Sequence, residues 1–493
     1  MAAYQMSPAS AVLEHKEINL SQTLTIDPVT RLEGHGKITL KTNEQGEVSE
    51  AFFSVTQVRG FEKFCEGRPF YEMPAIMARI CGICPVSHLI ASAKACEEIM
   101  AVTIPPTAAK LRRALNLAQT VQSHALSFFY LASPDLLLGM DADPAQRNIF
   151  GVASARPELG RAGIGLRRFG QHIIELLGHK RIHAGWITPG GVTEPLSPAK
   201  RDEILASIPE AYANIRLALA WYKTVADGFR EEIEHFANFP GPFLGMVGDD
   251  GGLEFTDGKL RLIDAEGNVL LDKLEASHFE DYFGEAVEPY SYMKFPYYKP
   301  LGYPEGSYRV GPLARLNIAS HAGTPLADVE MKEFKQLAHG PVLGSFFYHY
   351  ARLIDILHGI EMIEQIFSDP TILDTQVRAT AGVNRLEGSG FAEAPRGTLL
   401  HHYKVDENGQ IAWANLIIAT GQNNNAMNRG VLQAAQRYVH GDQIPEGMLN
   451  RVEAVIRTFD PCLSCSTHAY GQMPLIVTLV GPDGGTLDEV RRG

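Results

Sequence analysis

Two cysteine pairs set what this chain can become. Arg79-Ile-Cys-Gly-Ile-Cys-Pro-Val-Ser-His88 and Asp460-Pro-Cys-Leu-Ser-Cys-Ser-Thr-His468 each place two cysteines around a two-residue spacer, with a histidine beyond. One such pair alone is ambiguous among a redox dithiol, half a zinc site and two core cysteines. Two pairs point to four thiolates on one soft or borderline metal: zinc, iron or nickel. The fold must then bring the C-terminal region back to the first fifth of the chain. A structural zinc ribbon is the competing reading, but its pairs normally lie ~15–20 residues apart and staple a small domain. A chain of 493 residues can build its own core without a staple.

The other cysteines narrow the chemistry. There are six in all, Cys65, Cys81, Cys84, Cys96, Cys462 and Cys465, too few for a disulfide scaffold at this length. Cys65 and Cys96 cannot supply the four thiolates of an iron–sulfur cluster and read as small buried apolar residues. No strand–GxGxxG–helix unit marks a dinucleotide site; Gly190-Gly191, Gly481 and Gly484-Gly485 are turn signals. Electrons from a redox metal therefore need a partner. The net charge of −13 and the lack of a Lys/Arg run exclude a nucleic-acid surface. No run approaches the ~18 apolar residues of a membrane span, and Met1–Lys16 lacks the apolar core of a secretion signal. A cytoplasmic protein with no membrane contact of its own is expected.

Patterning predicts a mainly helical α+β fold: a long-helix bundle core with peripheral β-sheets and a β-containing insertion. Strands are expected over Leu24–Ala51, with a turn at Gly46, and over Phe52–Gly60. The turn-rich Asp27–His35 is too polar for an ordinary strand. Helical spacing runs over Met77–Met100, broken at Gly82–Pro85, so that Cys84 precedes a helix opened by Pro85. Further helices are expected at Thr107–Ala132, Pro157–His183, Ser197–Phe239, Val329–Ser368, Asn425–Val439 and Glu446–Arg457. Pro240–Leu316 reads as a β lobe, with a strong hairpin signal at Asp257-Gly258 and a weaker one at Glu266-Gly267. A hairpin over Thr398–Ile418 turns at Glu407-Asn-Gly409.

With these motifs in place, the chain resembles the large, catalytic subunit of nickel–iron hydrogenases. The resemblance covers nearly the whole chain. It includes Thr30-Arg-Leu-Glu-Gly-His35, Arg59-Gly-Phe-Glu62, Arg181-Ile-His183, Glu393-Ala-Pro-Arg-Gly397 and Thr420–Arg429 beside the cysteine pairs. Arg59–Arg68 and Cys81–His88 are most similar to the cytoplasmic bidirectional group that couples hydrogen to NAD(H). The resemblance implies reversible heterolytic cleavage of H2. Cys81 and Cys462 would be terminal nickel ligands, and Cys84 and Cys465 would bridge to an iron carrying carbon monoxide and cyanide. It also implies a small subunit with an iron–sulfur cluster, diaphorase subunits holding flavin and NAD sites, nickel-insertion factors and a maturation endopeptidase.

Other roles follow from the same resemblance. Glu33, which taken alone reads as a turn cap, would take a proton from Cys462 and pass it on. Arg396 would project over the open face of the metals, as electrostatic stabiliser or as a base ranked below Glu33, because guanidinium normally stays protonated. His88, one helical turn beyond Cys84, is assigned to donate to a thiolate. His124 has a weaker case, since Ser123 stands where many hydrogenases carry an acid. Glu62, His468 and the Leu416 carbonyl would hold magnesium. Residues 1–468 would form a single catalytic domain, with a β lobe at 240–316. Residues 469–493 would be an extension cut off after His468, its Leu475–Val480 forming an extra strand. Two alternatives remain at this point. The same metal site could serve a deazaflavin-, NADP- or sulfur-linked hydrogenase, or the chain could be a structural four-cysteine zinc protein or scaffold subunit.

Overall fold

The computed structural model describes residues 22–440, 445–469, 475–481 and 485–492. Met1–Lys16 and Gly484 lie outside them. Four long helices form the centre: α1 to α4 follow at Pro85–Met100, Pro106–Ala125, Pro157–Gly178 and Pro198–Val225. Each has proline in its first turn, where the missing N–H leaves no bond unmade. With α7 (Tyr348–Ser368), helices α2, α3 and α4 pack into the bundle. Helix α2 continues as a seven-residue π-helical segment, Leu126–Ala132, so the expected helix is regular only to Ala125. The helix expected over Ser197–Phe239 stops at Val225, and a tight turn separates it from Arg230–His235.

The sheets are small and peripheral. Among the described residues none has more than three strands. Strands β1 (Thr23–Ile26), β2 (Gly36–Thr42) and β3 (Val48–Val55) form the first sheet. The expected strand Phe52–Gly60 is the end of β3, and beyond Val55 the chain leaves the ladder. In the lobe, β4 (Phe243–Val247), β5 (Lys259–Ile263) and β6 (Val269–Leu274) pair in order, and β7 (Phe283–Val287) pairs with β8 (Lys294–Tyr298). The hairpin turn is the weaker signal, Glu266-Gly267, between β5 and β6. Asp257-Gly258 lies in the approach to β5, where the Glu254 carboxylate accepts the N–H groups of Phe255, Thr256 and Asp257.

The helix expected over Val329–Ser368 is two. After α5 (Pro312–Ile318), α6 spans Pro325–Lys335 and α7 opens at Tyr348. Gly340-Pro341 interrupts a pattern whose apolar periodicity runs on. Next come β9 (Glu387–Ala394), β10 (Gly397–Val405) and β11 (Ile411–Ile417), an antiparallel sheet whose first strand the patterning did not reveal. β9 is buried along almost its whole length, so it carries no alternation. The lobe shares a core with this sheet: Leu244, Leu260, Phe283 and Tyr308 pack with Phe391, Leu400 and Ile417. Helices α8 (Asn424–Tyr438) and α9 (Glu446–Phe459) lead to the second cysteine pair. Leu475–Val480 is a strand, β12, paired with β13 (Thr486–Arg492). No helix of the described residues is long and apolar enough to cross a membrane.

Candidate metal centre

The first pair sits at the mouth of α1. The chain arrives through short helical turns at Met73–Ile80, extends at Cys81 and enters the helix at Cys84, its N-cap. Helix α2 clamps this loop: Gln122 Nε2 donates to the Ile83 carbonyl at 2.9 Å, and Gln119 Oε1 accepts from Val86 N at 2.6 Å. Cys81 Sγ accepts the backbone N–H groups of Ile83 (3.2 Å) and Cys84 (3.4 Å), a small nest suited to an anion.

The second pair enters from α9. Asp460 caps that helix in the left-handed region (φ 52°) and turns the chain inward. Cys462 pairs with Glu33 in an isolated bridge, its N–H donates to Thr420 Oγ1 at 2.9 Å, and Leu463 N donates to the Glu33 carbonyl at 3.2 Å. Gly34 (φ 88°) permits this approach; a Cβ there would lie 2.7 Å from Leu463 Cβ.

The two pairs meet. Cys81 and Cys462 sulfurs lie 3.4 Å apart, Cys84 and Cys465 3.3 Å, and Cys462 and Cys465 3.0 Å. All four sulfurs fall within 4.8 Å of one another and all are buried. Metal–thiolate bonds of ~2.3 Å suit such a cluster, so the donor set fits a thiolate-bound metal centre. Hydrogen bonding from Cys462, Cys465 and Cys84 pulls the Cys81 thiol well below its ordinary value, whereas burial pushes Cys465 well up. Without a cation the sulfurs cannot all ionise. Cys65 and Cys96 are buried thiols bonded to the carbonyls of Glu62 and Phe70, both pushed up by burial, Cys65 to about 12.

The surrounding residues fall at stated places. The Glu33 carboxylate accepts Ser464 N at 3.1 Å and the Ser464 hydroxyl, between the two cysteines of the second pair. Arg396 Nε donates to the Asp460 carbonyl at 2.5 Å, one terminal nitrogen to Asp460 Oδ1 at 3.1 Å and the other to Ser123 Oγ at 3.4 Å. Burial opposes its charge, but Asp460 and the Cys462, Cys84 and Cys81 sulfurs outweigh it and keep the guanidinium protonated. His88 Nδ1 lies 3.1 Å from His401 Nε2, and burial holds it down to about 4; no hydrogen bond among the described residues joins it to a thiolate. His124 Nε2 is 3.2 Å from Asp355 Oδ2. His183 Nε2 is 3.2 Å from the Cys81 carbonyl.

Glu62 and His468 also meet. Glu62 Oε1 accepts from His468 Nδ1 (2.9 Å), Lys294 Nζ (3.2 Å) and the N–H, rather than the carbonyl, of Leu416 (2.9 Å). Burial works against the Glu62 anion, yet His468, Lys294 and Leu416 hold its carboxyl at about 2. Lys294 also reaches Glu285 and Asn415, and Glu285 Oε1 is buried without a hydrogen-bond partner among the described residues. The Lys294 ammonium lies between the Glu62 and Glu285 carboxylates, and among the described residues only the four cysteines form a metal-ligating cluster of His, Cys, Asp or Glu. Lys294 and Glu285 carry no motif that would have singled them out, and Thr420 and Ser464 were marked only as members of longer motifs. Asp460 was marked only as part of Asp-Pro-Cys.

Comparison with known proteins agrees with this geometry. A HoxL-like family model matches residues 23–58, and the nickel-dependent hydrogenase model matches 59–149 and 265–468. The chain is 42% identical to the beta chain of the NAD-reducing hydrogenase HoxS of Cupriavidus necator, over 96% of this chain and all of that one. It is 39% identical to a component of the F420-non-reducing hydrogenase vhc of Methanococcus voltae, over 94% of this chain and 98% of that one. The crystal structure of an NAD+-reducing [NiFe]-hydrogenase in the H2-reduced state superposes with a TM-score of 0.88 at 43% identity, covering 91% of this chain and 99% of that one. The four buried thiolates are thus those of a hydrogen-converting enzyme, and the chain belongs to the nickel-dependent hydrogenase family as its large, catalytic subunit.

Proposed function

We propose that this subunit oxidises and forms H2 within a complex that passes electrons through an iron–sulfur subunit, then through flavin-bearing diaphorase subunits, towards NAD+. The observation that carries the reading is the buried four-sulfur cluster with the Arg396 guanidinium beside it and Glu33 at its edge. The remaining thiols are two, buried and raised, so a partner must conduct the electrons. Likeness to NAD-reducing relatives over nearly the full length supports the choice of acceptor.

Cys81, Cys84, Cys462 and Cys465 would hold the nickel and iron. Nickel and iron held there supply the polarisation and redox capacity for heterolytic cleavage of H2. Cys462 Sγ accepts the proton. Glu33, half-buried beside Ser464, receives it on a carboxylate oxygen and carries it to the solvent side. Arg396 offsets the charge of the sulfurs and narrows the approach to them. His88, buried and 3.1 Å from His401, would help to order the surroundings of the cluster. Glu62 and His468 would contribute to a magnesium site, which would tie the end of the working chain to the Arg59–Glu62 segment. There, Arg59 N and Gly60 N already donate to the Thr467 carbonyl. A peptidase cuts after His468 once nickel is in place; the β12–β13 hairpin beyond it pairs with no third strand among the described residues.

The purified complex tests this. Nickel and iron in equal amounts, infrared bands of bound carbon monoxide and cyanide, H2-dependent reduction of NAD+ and a large-subunit mass ending at His468 are expected. Zinc without nickel would sink the metal assignment. Reduction of a deazaflavin, NADP+ or polysulfide in place of NAD+ would move the chain to the second reading, for which 30% identity to a sulfhydrogenase subunit is the support.

A further inference from the structure

The Arg315 side chain is wholly buried and touches no cluster sulfur among the described contacts, yet all five of its N–H groups are used. Nε and one terminal nitrogen donate to Asp355 Oδ2, at 3.2 and 2.6 Å; that same terminal nitrogen donates to the Pro395 carbonyl at 3.1 Å. The other donates to Glu393 Oε2 at 2.7 Å and to the Ala394 carbonyl at 3.0 Å. A guanidinium in its full donor geometry is rigid. The Phe255 ring lies 4.8 Å away and closes one face.

Two arms run from this group to Arg396. The first is the turn itself. Ala394 pairs with Gly397, so Pro395-Arg396 is a two-residue hairpin between β9 and β10. Arg315 takes the two carbonyls immediately before Arg396. On the other side the Arg396 carbonyl abuts Gly311 (φ 98°), the cap of the helix that carries Arg315; a Cβ there would stand 2.7 Å from that oxygen. The second arm runs through α7 and α2. Asp355 Oδ2, held by Arg315, also faces His124 Nε2 at 3.2 Å, and the neighbouring Ser123 hydroxyl accepts from Arg396 at 3.4 Å. The backbone that starts the Arg396 side chain and the hydroxyl that receives its tip are thus referred to one buried guanidinium.

We propose that Arg315 is a positioning residue for hydrogen turnover, which through Asp355, Glu393 and the Ala394–Pro395 carbonyls sets where the Arg396 guanidinium stands over the four sulfurs. This rests on Arg396 acting at the metals. A misplacement of about 1 Å at a reacting site can cost about 100-fold in rate. Lysine at 315 keeps the charge but cannot make five directed bonds.

The test is a double-mutant cycle in the assembled, metal-loaded complex, using Arg315→Lys, Arg396→Lys and the pair. H2 oxidation rate, nickel content and thermal midpoint are measured for each. Arg315→Lys is expected to slow turnover about 10- to 100-fold with nickel retained, and to add less than about 2-fold when Arg396 is already lysine. Equal slowing in both backgrounds, or full turnover of Arg315→Lys, overturns the positioning role. Full turnover of Arg396→Lys removes the reading on which it rests, and the proposal with it; the two failures are told apart by that single variant. Where Arg315→Lys yields no metal-loaded complex, His124→Gln cuts only the second arm. A loss of about 3- to 10-fold confined to the Arg396 background supports the proposal, and an equal loss in both overturns it.

Discussion

Glu33 stands at the edge of the four-sulfur cluster, where the proposed proton path would begin. Its main chain bridges to Cys462 and its carboxylate accepts from Ser464, so the side chain is tied to the second cysteine pair by both ends. Glutamine in its place preserves shape and one acceptor oxygen but cannot take a proton. Glu33→Gln is expected to keep nickel and iron while slowing hydrogen–deuterium exchange about 100-fold or more; near-normal exchange would remove Glu33 from the path. At this scale the sequence was informative where chemistry demands a particular side chain. The four cysteines announce themselves because few residue types can ligate a metal, and the resemblance singled out Glu62 and His468, which the fold brings together. Arg315, Asp355 and Lys294 do not announce themselves, because their work is defined mostly by partners far off in the chain, such as Asp355 for Arg315, 40 positions away, and Glu62 for Lys294, 232 away.

Helix α1 delivers Cys84 and His88 together, and β9 holds it in place. Contact between them depends on glycine: a Cβ on Gly390 would lie 2.3 Å from the Ala91 carbonyl, and one on Gly388 2.2 Å from that of Ala95. Strand and helix backbones therefore touch, which fixes the height of the helix mouth. Gly390→Ala is expected to destabilise the protein by about 1–3 kcal/mol and to lower nickel occupancy. A thermal midpoint and metal content equal to the parent's would show that α1 has slack. The helix was legible from Pro85 and its apolar spacing. Its partner strand was not, since Glu387–Ala394 is buried on both faces and rich in small residues. The same loss of contrast merged α6 with α7. Gly340-Pro341 marked the break, but apolar periodicity on either side masked it.

Across the whole molecule, burial of neutral histidines makes stability depend on acidity. His124, His349 and His358 are buried and held down to about 4, 3 and 4, chiefly by desolvation. An unfolded histidine takes its proton near pH 6.5. The unfolded chain therefore binds protons that the folded one refuses, and the stabilisation present above about 6.5 is lost as pH falls towards 4. Each contributes on the order of 3 kcal/mol at neutral pH. His358 stacks on Phe255, with centroids 5.6 Å apart. His358→Phe keeps that contact, and its loss of thermal midpoint between pH 7 and 5 is expected to be smaller than the parent's. Parallel curves would assign the acid sensitivity elsewhere.

The sulfurs that touch across the centre belong to residues 381 positions apart. On a ribosome adding about 5–20 residues per second, the first pair emerges about 20–75 s before the second is made. Through that interval Cys81 and Cys84 have no counterpart to share a metal with. A half-synthesised chain offers two thiols to any passing ion, and only a finished one offers four. The four-thiolate site is therefore a matter of order in time as well as of ligand chemistry: it exists only once both ends of the chain have been made and have found each other.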